Sequence, residues 1–82
     1  MMEKLKRIDK GIELRQKQNE EYLQDKIEWI KDKIIHSRDI NDIMYAIETF
    51  KKHYDSYNTN KAKYTAQQDV IILLEVENME EN

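Results

Sequence analysis

Two histidines, seventeen carboxylates and no cysteine are the side chains that could do chemistry in this 82-residue chain. The tightest grouping is Asp32, His36 and Asp39. Asp32 and His36 stand one helical turn apart, and a carboxylate–histidine cluster of that kind can hold a metal ion. The remaining donors of a metal site are missing: no second histidine follows at i+4, and there is no Glu-x-x-His of the di-iron bundle type. The cluster therefore reads as an exposed histidine at a helix end, and neither metal nor cofactor is expected. With so many carboxylates, close pairs are unavoidable and carry no information about acid–base catalysis. The sequence has no glycine-rich phosphate loop and no Ser/His/Asp or Cys/His arrangement. A chain this short also has little room for an enclosed pocket. The expectation is a protein that is not an enzyme.

The elements that carry these residues are helical. Residues 2–35 lack proline and are dominated by Lys, Glu, Gln, Arg, Leu and Ile, most of them good helix formers. At 100° per residue, Leu5, Ile8, Ile12, Leu23, Ile27, Ile30 and Ile34 fall within an arc about 100° wide. A stripe that keeps its phase this long predicts one helix roughly 50 Å in length. Two features interrupt it: Gly11, and a polar waist at Arg15, Gln16 and Asn19. Either the waist stands in water, or Gln16 and Asn19 set the register of a helix–helix interface, as a buried polar residue does in a coiled coil.

His36-Ser37-Arg38-Asp39 is a break, and Ser37 or Asp39 can cap the next helix. A second helix is expected from about 40 to 57, with Ile40, Ile43, Met44, Ile47, Phe50, Tyr54 and Tyr57 as its stripe. Asn58-Thr59-Asn60 is the strongest turn signal in the chain. Thr65 and Gln68 resemble a capping box ahead of the apolar run Val70 to Leu74. A third helix is expected at about 64–79, with a strand over 70–76 as the alternative, followed by an acidic tail at 80–82.

The expected fold is all-α and a single domain. It has a long N-terminal helix and two shorter ones, arranged as an antiparallel αα-hairpin extended to a three-helix bundle from residue 22 onward. The expected core is Leu23, Ile27, Ile30, Ile34, Ile40, Ile43, Ile47, Phe50, Tyr54, Val70, Leu73 and Leu74. That leaves the N-terminal half of the first helix as an arm whose stripe, Leu5, Ile8 and Ile12, has no cover within the chain.

Composition narrows the function classes. Charged residues make up 38% of the chain, with one glycine and no proline; that excludes collagenous, disulfide-rich and linker classes and favours long helices. Mean hydropathy is −0.97, yet the apolar residues are too well phased for a disordered chain. Ten Lys/Arg stand against eight Asp/Glu in residues 1–38, and four against nine in 39–82, giving the net charge of −3. No basic face for phosphate contact emerges. A helix-turn-helix reading fails as well, because the candidate recognition helix has no Lys or Arg after Lys63. The longest apolar run, five residues, falls far short of the ~20 needed to span a bilayer. No signal-peptide segment is apparent, and a cytoplasmic protein is expected, with neither nucleic acid nor membrane as a direct partner.

Ser37-Arg38-Asp39-Ile40-Asn41 is loosely similar to the Ser-Gln-Glu-Leu-Asp motif of the small helical-hairpin phosphatases that act on sporulation response regulators. Only the serine is identical, and Asn41 stands where that family needs an aspartate, so no membership follows. The Lys/Ile/Asn/Glu-rich composition resembles that of small accessory proteins of low-GC bacteria and their phages.

Binding is the class of function left. Tyr22 and Trp29 lie together beside the first stripe, Tyr45 lies on the outer face of the second helix, and Trp and Tyr are enriched at interface hot spots. Ile71 and Ile72 exceed what one-sided packing of a third helix can cover. The expected function is that of a helical protein-binding module, an inhibitor or adaptor occupying a partner protein's surface. The candidate contacts are Leu5, Ile8, Ile12, Tyr22, Trp29, Tyr45, Ile71 and Ile72. A homo-oligomer, with a dimer favoured, and an acidic nucleic-acid mimic are the rival expectations.

Overall fold

Helix-forming residues run almost without interruption on either side of Ser37-Arg38-Asp39, and the chain folds accordingly. The structure, a computed structural model, describes residues 2–80. It is all-α, with two helices, α1 (Met2–His36) and α2 (Ile40–Glu80). The three-residue connection folds α2 back along α1 as an antiparallel hairpin with extents of 65 × 15 × 12 Å. Asp39 is the cap: its Oδ1 accepts the Asn41 N–H at 3.0 Å, and its carbonyl accepts the Ile43 N–H at 3.1 Å. Ser37 Oγ donates to Asp42 Oδ2 at 3.0 Å, tying the connection to the first turn of α2.

The three-helix arrangement expected from the sequence is not formed. The helices expected at 40–57 and 64–79 are one helix, and 70–76 is helical rather than a strand. Asn58-Thr59-Asn60 is no turn, because neither glycine nor proline forces one there. Thr59 Oγ1 donates back to the Asp55 carbonyl at 3.0 Å, so its hydroxyl is satisfied within the helix. Asn60 faces α1, half-buried. The modest propensity cost of Asn and Thr, a few tenths of a kcal/mol each, is offset by continuous packing along α1. Gln68 is no capping residue either: Gln16 Nε2 donates to its Oε1 at 2.8 Å across the helix pair. Of the expected tail at 80–82, residues 81 and 82 lie outside the described residues.

A helix of 41 residues covers α1 from end to end, so the expected uncovered arm is covered. Ile12 is only 5% exposed and Leu5 is half-buried. The waist is covered in part: Gln16 is half-buried, whereas Arg15 is exposed. Asn19 is 8% exposed, and its Nδ2 donates to the Tyr57 carbonyl at 3.0 Å. Gly11 leaves α1 unbroken.

Burial follows a 3.5-residue repeat. On α1 the buried and half-buried positions include the series Leu5, Asp9, Ile12, Gln16, Asn19, Leu23, Lys26 and Ile30, spaced alternately by four and three, with half-buried Tyr22, Ile27 and Trp29 at its edges. On α2 the matching series is Ile43, Ala46, Phe50, His53, Tyr57, Asn60, Tyr64, Gln67 and Ile71, in the same alternation, with Thr49, Gln68, Glu75 and Asn78 also half-buried. This is the seam of a left-handed antiparallel coiled coil. Burying an isoleucine side chain contributes about 1.5–3 kcal/mol, so Ile12, Ile30 and Ile71 anchor it, with Ala46 and Tyr57. Of the expected core, Leu23, Ile30, Ile43 and Phe50 lie in this seam and Ile27 is half-buried beside it, but the rest is displaced. Ile34, Ile40, Ile47, Tyr54, Val70, Leu73 and Leu74 are all exposed, because a 3.6-residue stripe drifts off a 3.5-residue seam.

Candidate protein-interaction surface

Two flanks run beside the seam, and side-chain contacts tell them apart. On one, Tyr57 is the landmark. Its hydroxyl donates to Glu20 Oε1 at 2.7 Å, and Lys61 Nζ lies 5.8 Å from its ring centre. Glu20 and Lys61 both sit one residue or one turn outside the seam, so they mark this side on α1 and α2. The Glu20 hydrogen bond, together with burial and the Glu20 charge, raises the Tyr57 pKa above its usual value, against the smaller lowering effect of Lys61. Stepping by sevens toward the connection, Glu20 is followed by Ile27 and Ile34, and Lys61 by Tyr54, Ile47 and Ile40. The flank is thus charged in the middle of the hairpin and apolar at the connection end. Ile40 is 70% exposed there.

On α2 the apolar side chains extend this flank as a second row. Ile40, Met44, Ile47 and Tyr54, with Lys51 between the last two, alternate by four and three, the spacing of the seam itself, and all are exposed. Phe50, Tyr54 and Tyr57 stack in succession with ring centres 6.3 Å apart, which joins this row to the seam.

The opposite flank is a mixed surface. Tyr22 hydrogen-bonds to His53 Nδ1 and meets its ring edge-on, with Lys26 Nζ 5.4 Å from the Tyr22 ring centre. Arg15, Tyr22, Ser56 and Tyr64 border a shallow groove of mixed polarity. Farther toward the open end, Ile8, Ile12, Arg15, Val70 and Ile71 line an open, largely apolar groove of about 500 Å³.

The residues expected to meet a partner are therefore scattered. Ile12 and Ile71 are buried in the seam, each 5% exposed, and Leu5 is half-buried beside them. Ile8 lines the open-end groove. Tyr22 and Trp29, seven residues apart, share the mixed flank and are half-buried. Tyr45 and Ile72 stand in solvent, Tyr45 at 70% exposure. Apolar periodicity alone assigns the connection-end flank to the core and so misses it as a surface. Its signal is the four–three alternation from Ile40 to Tyr54, which continues a repeat already used once by the seam.

The ionisable cluster at the hairpin tip does not close into a site. His36 Nε2 lies 3.1 Å from Asp32 Oδ1, both largely in solvent. Among the described residues, no group of three or more His, Cys, Asp or Glu side chains is placed to share a metal ion. No helix among them is long and apolar enough to cross a membrane.

No family model matches the chain, and comparisons with curated proteins and with solved structures find no match either. The functional reading therefore rests on the surface alone.

Proposed function

We propose that this chain is a non-enzymatic, helical protein-binding module that works by laying its outer apolar faces on another protein surface, as an inhibitor or adaptor does. One observation carries the reading. Among the described residues, five apolar side chains are buried, whereas fifteen large ones are exposed. Isolated exposed apolar residues are ordinary, but contiguous rows of them mark interaction surfaces. Helix faces with anchors at alternating three and four spacing are also a recurrent mode of protein recognition. The grooves lie open along the hairpin, which suits a surface that is covered by a macromolecule.

The test is the double variant Ile40→Lys with Ile47→Lys. Both side chains point away from the seam, so helicity should be kept. Association, with itself or with a protein crosslinked to the chain in extracts of its source cells, should be lost. A variant that associates as the unmodified chain does would show that this surface is not the working one.

A further inference from the structure

We infer that the mixed flank receives an acidic amphipathic helix of a different protein, with apolar side chains laid in the open-end groove and a carboxylate held between Arg15 and Lys63. The inference rests on the proposed role as a protein-binding module. It places a contact on the flank opposite Ile40 and Ile47 and names the chemistry of the partner.

The seam repeat fixes where the two cations stand. Ile8 and Val70 line the open-end groove together, and Tyr22 and Ser56 border the next groove together. Arg15 lies seven residues from both Ile8 and Tyr22, and Lys63 lies seven from both Val70 and Ser56. The two therefore occupy the rung between those pairs, cation beside cation, and both are exposed. Neither has a carboxylate three or four positions away on its own helix, where a pairing side chain would stand. No hydrogen bond or ion pair engages either of them among the described residues. Composition does not explain this, since the chain has seventeen carboxylates against fourteen Lys/Arg. On the other flank Glu20 and Lys61 both meet Tyr57, acid with base. Charges flanking a seam set its pairing, so a like-charge rung opposes the hairpin and suits an anionic group brought from outside.

The groove beside this rung is open to close approach. Gly11, the single glycine of the chain, lies inside α1, where glycine costs about 1 kcal/mol against alanine. The hairpin itself does not need it: its φ is not positive, and an added Cβ would meet nothing within 4 Å. Its missing side chain leaves the α1 backbone bare on the groove wall, the condition under which a second backbone can come near. The same groove is lined by Ile8, Ile12, Val70 and Ile71, and Arg15 is the one charged side chain lining it or its neighbour. A helix laid along it finds apolar contact at the Ile8–Val70 rung and positive charge one heptad farther on, about 10 Å away. The matching helix carries aliphatic side chains with a Glu or Asp about seven residues beyond them, docked as a helix in a groove. A wholly apolar helix would leave the cations unmatched, and a single rung offers too few phosphate contacts for a nucleic acid.

Two measurements on the full chain test this. The first needs no partner. At low salt, Arg15→Glu and Lys63→Glu should each raise the urea midpoint, because each turns the cation–cation rung into an acid–base one, and the double reversal should return it close to the starting value. Single reversals that leave the midpoint unchanged or lower it would overturn the shared rung. The second uses a synthetic three-heptad peptide with leucines on one stripe and glutamates beside them, and its lysine counterpart, read by amide NMR shifts. The glutamate peptide should bind with shifts centred on Ile8, Gly11, Arg15 and Val70, at least about tenfold tighter than the lysine peptide, and the double reversal should invert that preference. Gly11→Leu should block the groove and weaken binding while helicity is kept, and Ile40→Lys with Ile47→Lys should leave binding unchanged. No binding of the glutamate peptide, or binding that ignores the two reversals or Gly11→Leu, would overturn the acidic helix as occupant. Association lost only in the Ile40→Lys with Ile47→Lys variant would then leave the proposed function standing. Tighter binding of a thymidine oligonucleotide than of the glutamate peptide would also overturn it, in favour of a phosphate chain.

Discussion

Between the helices, Ile12, Ile30 and Ile71 share the seam with Gln16, Asn19, Lys26, His53 and Asn60. On the flank beside it, Ile34, Ile40, Met44 and Ile47 stand in solvent. A fold driven by burial alone would place the isoleucines inside and the amides outside. The arrangement here divides two tasks. The seam is polar enough to fix one register, since Asn19 reaches the Tyr57 carbonyl and Gln16 reaches Gln68 only in this alignment. A single polar seam residue is known to specify pairing at a cost in stability. The flank keeps the apolar surface that the seam gives up, and that surface becomes available for association.

Charging an isoleucine should therefore cost much more stability in the seam than on the flank. Ile12→Asp places an unpaired carboxylate in the seam. We expect it to lower stability by about 3 kcal/mol and to melt the open end of the hairpin, as read by circular dichroism in a urea series. A loss below about 1 kcal/mol, the centre of the range for ordinary substitutions, would mean that the open end of the seam is not packed. Asn19→Leu sharpens the point from the other side. It removes the register bond but adds apolar surface, so stability should stay level or rise by about 1 kcal/mol, while the amide NMR spectrum splits into more than one set of peaks. A single sharp set would show that Asn19 does not select register.

On the flank, Ile40→Lys with Ile47→Lys should change the stability of the isolated hairpin by no more than about 0.5 kcal/mol per site, measured at concentrations where the chain does not associate. A loss several times larger would place these residues in the folding core after all. The smallest effect is a pH dependence. The Tyr57 pKa is raised in the folded chain, so the folded state holds this proton more tightly than the unfolded state does. Its contribution is complete below the ordinary tyrosine value near 10 and is lost as pH rises through the folded value. Denaturation midpoints should fall across that alkaline range in the unmodified chain, and Tyr57→Phe should flatten the decline. An unchanged slope would remove the Glu20 contact from the account.

The sequence carries the first helix, the connection at 37–39 and the start of the second helix almost to the residue, because the phased isoleucines and Asp39 are strong local signals. The seam is less accessible. Half of its α1 positions are Asp9, Gln16, Asn19 and Lys26, and a search for apolar periodicity passes over them. The same search follows a 3.6-residue stripe and so assigns Ile34, Ile40 and Ile47 to the interior. The false turn at Asn58-Thr59-Asn60 has a different cause. Those residue types favour turns through local hydrogen bonds, but here Thr59 makes its bond within the helix and Asn60 lies against α1. Tertiary packing outweighs the local preference.

Sedimentation equilibrium of the unmodified chain across a concentration series tests the central claim most directly. If the connection-end flank is an association surface that the chain can satisfy by itself, the mass should rise above that of the 10.0 kDa chain, and the Ile40→Lys with Ile47→Lys variant should stay at the lower mass. A single 10.0 kDa species at every concentration, or a dimer unaffected by the two lysines, would contradict it.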